Sequence, residues 1–345
     1  MKGRQILIDH LGDRMAAALL VDGQLDDLLI DPPETRARPG AIYRAIVDRP
    51  MKGQGGRILR LPEGSTGFLR DTKGLADGDR LLVQVTGYAE PGKAVPVTAR
   101  ILFKSRYCIV TPGALGRNVS RAIRDDEARV RLHDIAHEAE LNESFGLILR
   151  SVAEHADSDD VADDIAETAA LAQAVCADQD STDAELLLDG PTPDLLAWRD
   201  WGDIAAHDVI TEAGCFAAHG ILETIADLRK IAVPLSGGGS FFVEPTRALV
   251  AVDVNTGADT SPAAGLKANI GAAKALPRAL RLRGLGGQIT IDFAPMPKKD
   301  RRQVEQALRA AFRSDPIETA LVGWTPLGHF ELQRKRERLP LPESL

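Results

Sequence analysis

Short runs of alternating apolar and polar residues fill the N-terminal part of the chain. Arg4 to Asp9, Met15 to Val21 and Gln24 to Asp31 read as strands, with Asp22-Gly23 as a hairpin turn. Pro32, Pro33 and Pro39 mark a connection. Short strands separated by Gly and Pro follow: Ala41 to Val47, Arg57 to Leu61, Thr66 to Leu69, Arg80 to Tyr88 and Val95 to Phe103. Five strands in a segment of roughly sixty residues predict a small closed barrel, for which the OB fold is a natural candidate. Such a domain serves either binding or packing alone.

Beyond the barrel the pattern becomes mixed. Strands are expected at Tyr107 to Thr111, Phe145 to Ser151 and Glu185 to Leu188, and helices at Asp126 to Glu138, Asp157 to Ala177 and Ala213 to Lys230. The Glu185 strand and the Ala213 helix are expected to complete a domain begun by the N-terminal strands. Trp198 and Trp201 lie three apart on an amphipathic turn, which favours core packing over stacking on a ligand. Toward the C-terminus, helices are expected at Ala263 to Arg283, bent or divided by Pro277, and at Lys298 to Arg313, with Val304, Leu308, Ala311 and Phe312 inward.

A chain of 345 residues, 44% of them hydrophobic, is long enough for two or three domains. No run of consecutive apolar residues is long enough to span a bilayer, so the cytoplasm is the default location. Cys108, Cys176 and Cys215 form no C-x-x-C pair, which argues against a disulfide framework or a structural zinc site. The net charge of −8 runs against nucleic-acid binding, but its distribution is uneven. From Lys267 onward there are 15 Lys+Arg against 8 Asp+Glu, so this part reads as locally basic. Residues 151–198 hold no Lys or Arg and 13 acids, a segment that repels RNA.

Candidate chemistry concentrates in two β-branched runs. Asp253 stands in Leu249-Val250-Ala251-Val252-Asp253-Val254-Asn255-Thr256-Gly257, and Asp292 in Gln288-Ile289-Thr290-Ile291-Asp292-Phe293. Each carboxylate falls where a strand opens into a loop. Oxygen ligands, a nearby amide at Asn255, and no His or Cys in these runs suit a hard ion such as Mg²⁺. From spacing alone, ordinary turn or N-cap aspartates are an equally good reading. Gly237-Gly238-Gly239 lacks the G-x-x-x-x-G-K-[ST] pattern and precedes a strand, which argues against ATP binding. His207 and His219 have no partners in sequence and receive no role.

Several words recur in order between Pro234 and Arg338: Ser236-Gly237-Gly238-Gly239-Ser240, Ala251-Val252-Asp253-Val254-Asn255-Thr256-Gly257, Leu280-Arg281-Leu282-Arg283-Gly284-Leu285-Gly286-Gly287 and Ile291-Asp292-Phe293. This stretch resembles the catalytic region of the ribonuclease E/G family, and a weaker resemblance covers nearly the whole chain. The resemblance implies an α+β multidomain fold. It comprises a split RNase H-like domain (1–36 and 185–233), an OB-fold RNA-binding domain (37–104), a 5′-sensor-like region (105–184) and a DNase I-like catalytic subdomain (234–345). The implied activity is Mg²⁺-dependent endonucleolytic hydrolysis of single-stranded RNA, with Mn²⁺ as a substitute ion and products bearing 5′-phosphate and 3′-hydroxyl ends. Asp253 and Asp292 would hold the metal, and Asn255 would steer its shell or the scissile phosphate. Phe68 and Lys93 match RNA-contacting positions, Lys298 and Arg302 would screen the RNA backbone, and Arg150 with Ser151 resembles a pocket for a 5′-monophosphate.

Several positions depart from the family pattern. Pro295 stands where the family often has a second acid after Asp292, and Gly271 replaces an acid in Asn269-Ile270-Gly271-Ala272-Ala273. Ile58 replaces a second barrel aromatic, and the Asp157 to Ala177 helix is acidic where relatives are basic. The sequence lacks the C-P-x-C linker of larger relatives, so no structural zinc and no zinc-linked dimer are expected, whereas a homodimer through the catalytic subdomain stays open. A catalytically weak or inactive RNA-binding regulator on the same scaffold is the second reading.

Overall fold

The computed structural model describes residues 3–53, 55–202 and 204–341. Its contacts divide into two compact units, one formed by the chain up to Ile30 together with His207 onward, the other by Asp31–Ala206. Among the described residues no helix is long and apolar enough to cross a membrane.

In the first unit, strands β1 (Arg4–Leu11), β2 (Arg14–Val21) and β3 (Gln24–Ile30) form an antiparallel meander. Asp22 and Gly23, both at positive φ, make the β2–β3 turn. Parallel to β1 lies β14 (Val209–Ile210). The expected helix over Ala213 to Lys230 is two pieces, α4 (Cys215–Ala218) and α5 (Ile221–Leu228), because Gly220 takes the left-handed conformation between them. Phe216, Ile221 and Ile225 close over Leu7, Ala18 and Leu28.

The same unit carries a six-stranded sheet. Its strands are β15 (Ala232–Pro234), β16 (Ser240–Pro245), β17 (Val250–Asn255), β18 (Gly287–Asp292), β19 (Thr319–Trp324) and β20 (Phe330–Arg334), in the order β15-β16-β17-β18-β20-β19. Only β17 and β18 are parallel, and helix α6 (Ala264–Leu282) makes the crossover that parallel neighbours require. Helix α6 and α7 (Arg301–Arg313) bury Ala272, Leu276, Leu280, Val304, Leu308 and Phe312 against Val252, Ile289, Ile291 and Phe330. Pro277 does not divide α6, which runs through it with the ring buried on the core side.

Part of the basic stretch read after Lys267 is internal. Asp315 lies between Arg281 and Arg334, all three side chains at 7% exposure or less. Arg283 is buried, Arg278 donates to the Leu25 carbonyl, and Arg338 pairs with Asp27 at 3.2 Å. These cations hold loops and strands together and are withdrawn from the basic surface. Lys267, Lys274, Lys298, Lys299, Arg302, Arg309, Arg313 and Lys335 remain exposed.

The second unit contains the expected barrel: β4 (Ile42–Pro50), β5 (Arg57–Arg60), β6 (Thr66–Leu69), β7 (Arg80–Val85) and β8 (Val95–Thr98). The order β4-β5-β6-β8-β7 closes by a β4–β7 pairing, and β6 and β8 run parallel, which is an OB-like topology. Strand β13 (Glu185–Leu188) pairs with β4 of the barrel and not with the N-terminal strands as expected. Buried Arg44 draws it there, donating to the carbonyls of Asp178 and Asp183 and pairing with Glu185. The expected strand Val95 to Phe103 stops at Thr98. Its far end is β9 (Phe103–Lys104), in a second sheet with β10 (Cys108–Pro112), β11 (Arg117–Val119) and β12 (Phe145–Leu149), order β11-β12-β10-β9. Helices α1 (Asp126–Glu138) and α2 (Ser158–Ala177) pack Leu132, Ala136, Val161 and Ile165 against this sheet, and α3 (Pro193–Asp200) follows β13.

Candidate active site on the six-stranded sheet

Period-2 alternation turns Val250, Val252 and Val254 of β17 into the core and leaves Asp253 and Asn255 on the open face. On β18, Ile289 and Ile291 are buried and Asp292 is exposed. Asp253 is the register partner of Asp292, so two carboxylates 39 positions apart in the chain stand side by side on one face. Asn255 Nδ2 donates to Asp253 Oδ2 at 2.6 Å and fixes that carboxylate's orientation. Asp292 remains 65% exposed, with His329 Nε2 3.9 Å from its Oδ1.

Two neighbouring devices hold these strand ends. Gly239 sits at φ +81° with its α-carbon against the backbone of Asn255 and Thr256, and a β-carbon there would come within 2.4 Å of the Asn255 carbonyl oxygen. Asn269, fully buried in α6, accepts from the Ala294 amide and donates to the Ala294 carbonyl, both at 2.9 Å. That reciprocal pair pins the loop two residues after Asp292. Asn269 and Gly239 both lie within sequence words already noted, but their roles emerge only from the packing. His329 had no signal at all, because strand pairing alone brings it to Asp292.

Among the described residues no group of three or more His, Cys, Asp or Glu converges as a metal cage. Two exposed carboxylates are nevertheless a fitting donor set for Mg²⁺, which usually keeps several waters and binds through one or two carboxylates plus substrate phosphates.

The other predicted positions lie elsewhere. Lys298, in the turn before α7, and Arg302, in the first turn of α7, are exposed, and Arg301 rather than Arg302 stacks its guanidinium over Trp324, 4.7 Å from the ring centre. Phe68 is half-buried on β6, paired in register with Ile58, and Lys93 is exposed with Glu90 at 2.7 Å. Ser151 is exposed at the start of a short 3-10 turn.

Arg150, expected to grip a phosphate, is engaged inside its own unit. Its Nη1 donates to the carbonyls of Ser105, Arg106 and Arg199 at 2.6, 2.9 and 3.1 Å, and its Nη2 to Asp200 Oδ1 at 2.7 Å. Lys104 reaches the same Asp200 oxygen at 2.7 Å and Arg199 the other at 2.8 Å. Burial alone would raise the Asp200 carboxyl, but Arg199 and Lys104 together hold it well below the usual carboxylate range. Trp201 is buried as expected. Trp198 is not: it is 53% exposed, with the Arg106 guanidinium 5.1 Å from its ring centre.

A mixed α+β protein of several sheets with a five-stranded OB-like barrel is the class this fold defines. The model of the ribonuclease E/G family matches residues 103–214 and 204–337. The chain belongs to the ribonuclease E/G family, a family of endoribonucleases. Ribonuclease G of Salmonella typhimurium (strain SL1344) is 28% identical over 400 residues, covering 97% of this chain and 80% of that protein. Ribonuclease E of Nostoc sp. (strain PCC 7120) is 27% identical over 391 residues, covering 97% of this chain and 56% of that protein. Ribonuclease G of Haemophilus influenzae is 25% identical over 403 residues, covering all of this chain and 82% of its own length.

Proposed function

We propose that this protein is a Mg²⁺-dependent endoribonuclease that hydrolyses internal phosphodiesters of single-stranded RNA and leaves 5′-phosphate and 3′-hydroxyl ends. The observation that carries this reading is the in-register pairing of Asp253 with Asp292 on parallel strands, both on the open face of the sheet. In this reading both carboxylates hold the ion, Mg²⁺ or Mn²⁺ in its place, while Asn255 keeps Asp253 aimed outward. When bound, the ion neutralises charge on the phosphoryl oxygens and lowers the pKa of an attacking water. Asn269 and Gly239 act as positioning residues, because they fix the loops that carry Asp292 and Asn255.

The six-stranded sheet with α6 and α7 serves as the DNase I-like catalytic subdomain and the barrel as the OB-fold RNA-binding domain. Phe68 stacks on a base and Lys93 meets a phosphate, contacts that require no particular sequence. Lys298 and Arg302, both exposed, screen the RNA backbone. The sheet built on β10 and β12, with α1 and α2, corresponds to the 5′-sensor-like region. The N-terminal strands with α4 and α5 form the RNase H-like domain, its second part beginning at His207, where the contact division falls. Arg150 and Ser151 receive no 5′-phosphate in this reading, because Asp200 and three carbonyls already engage both terminal nitrogens of the guanidinium. Cleavage is therefore independent of the 5′ end. The site of action is the cytoplasm, where three free thiols stay reduced.

The test is incubation of purified protein with Mg²⁺ and a single-stranded, A/U-rich RNA, alongside Asp253→Asn and Asp292→Asn variants. Internal cutting by the wild type, lost in both variants and in EDTA, is the expected result. Binding without cutting would favour an RNA-binding regulator on the same scaffold.

A further inference from the structure

The face that carries Asp253 and Asp292 continues into a groove to which the carboxylate chemistry gives no role. Antiparallel pairing of Ile291 with Phe330 brings Asp292 beside His329. Asp253, Asp292 and His329 thus form a row across β17, β18 and the entry to β20. The row runs into the β19–β20 hairpin, whose tip is closed by hydrogen bonds from Thr325 N to His329 O at 2.8 Å and from Gly328 N to Thr325 O at 3.0 Å. A register shift between Leu321 and Gly323 sets Val322 out of step with the ladder. Val322 is 66% exposed and Leu327, at the tip, 87%. With Thr325, Pro326, His329 and Glu331 they line a groove of about 650 Å³ on the outer edge of the sheet.

Two exposed aliphatic side chains on one hairpin, one on its strand and one at its tip, are unusual beside a polar row, and the combination has a chemical match. A nucleobase has faces that pack on apolar side chains and an edge of hydrogen-bonding groups. The geometry points to this groove as the seat of the base next to the scissile phosphate, and to a base that presents an amino group where guanine and uracil present a carbonyl, adenine or cytosine. Val322, Pro326 and Leu327 pack against the ring, and the Glu331 carboxylate accepts from the amino group, as Glu does from cytosine N4 in nucleic-acid recognition. Strands lie about 4.8 Å apart, so a base whose phosphate rests at Asp292 has the groove within one to two strand spacings. The inference rests on the proposal that Asp253 and Asp292 mark the cutting site, and it adds the base that the site prefers.

Two measurements test it. In the first, RNAs identical except at the nucleotide adjacent to the cut (A, C, U or abasic) are compared by kcat/KM. The wild type is expected to cut A and C about tenfold faster than U or the abasic substrate, a discrimination of the size that one net hydrogen bond supplies. Leu327→Ala and Glu331→Ala, both at solvent-accessible positions, are expected to reduce that ratio to within about twofold, because the contacts that distinguish the bases are gone. An unchanged preference in both variants overturns the inference. In the second, 5-iodocytidine at that nucleotide is photo-crosslinked to wild-type protein in EDTA and the attached peptide is mapped. Attachment within residues 319–334 supports the groove, and attachment elsewhere overturns it. Crosslinking needs no cutting. A crosslink in the groove without Mg²⁺-dependent cleavage would sink the endonuclease reading alone, whereas cleavage with a crosslink outside the groove would sink the groove alone.

Discussion

Asp292 and Asp200 are both carboxylates at the end of a regular element, and the fold treats them in opposite ways. Asp292 closes β18 at 65% exposure, faces Asp253 as its register partner, and has His329 Nε2 3.9 Å from its Oδ1. Asp200 ends α3 at 29% exposure, and Lys104, Arg150 and Arg199 fill both of its oxygens. A carboxylate enclosed by three cations is a structural tie, with no lone pair left for an outside ligand. Two like charges held side by side on an open face stabilise nothing by themselves and are available to a cation. The contrast also sets Arg150, engaged by Asp200 and three carbonyls within its own unit, apart from the exposed side chains of the open pair.

The largest effect should come from the open pair. Asp253→Asn and Asp292→Asn are each expected to lower Mg²⁺-dependent cleavage by about 10²–10³-fold, the range found when one preorganised electrostatic group is removed from an active site. Both should leave the thermal midpoint unchanged or slightly raised, because exposed substitutions usually stay within about 0.5 kcal/mol. A fall in stability to match the fall in rate would mean that the pair is structural after all.

Asp200→Ala should show the reverse profile. It strands three partly buried cations and is expected to destabilise by about 1–3 kcal/mol in urea unfolding, the cost of leaving hydrogen-bonded charges without a partner. The vacated cluster should then take an outside anion, so inorganic phosphate should raise the melting temperature of the variant more than that of the wild type. Equal phosphate effects on the two proteins would show that Asp200 is not what blocks the cluster.

Gly239→Ala tests how closely the open site depends on its backing. An alanine at φ +81° with its β-carbon 2.4 Å from the Asn255 carbonyl must move the backbone. A loss of about 1–3 kcal/mol is expected from strain of this kind, with a drop in cleavage rate beyond what the unfolded fraction explains.

Acid titration sharpens the same contrast. The folded-state pKa of Asp200 is depressed, because Arg199 and Lys104 outweigh the effect of burial. Its contribution is therefore complete above the ordinary carboxylate value of about 4 and is lost as pH falls through the lower folded value. The stability gap between wild type and Asp200→Asn should stay constant from neutral pH down to about pH 5 and narrow only below about pH 4. A gap that closes near neutral pH would contradict the ion cluster. The smallest change is at Gly271, inside α6, where a β-carbon would sit 3.6 Å from the nearest Leu235 side-chain atom. Gly271→Ala should add about 0.5–1 kcal/mol through helix propensity and leave cleavage unaltered.

Local pattern determined much of this protein. Alternation and turn residues located β1 to β3 and the five barrel strands, and the β-branched runs located β17 and β18 with their two terminal aspartates. These elements are legible because their signals are local: period 2, Gly and Pro punctuation, and a positive-φ turn pair at Asp22-Gly23. Three-dimensional pairing decided the rest. Only the parallel register of β17 with β18 makes Asp253 and Asp292 neighbours, and only the antiparallel approach of β20 adds His329. The count of Lys and Arg could not reveal that Arg281 and Arg334 lie buried on Asp315, or that Arg150 closes on Asp200. Nor could the run Glu185 to Leu188 announce that β4 would be its partner. A side chain's type sets which interactions it can make. Whether those interactions are used up inside the fold or left facing solvent depends on partners tens to hundreds of positions away, and folding alone brings them together.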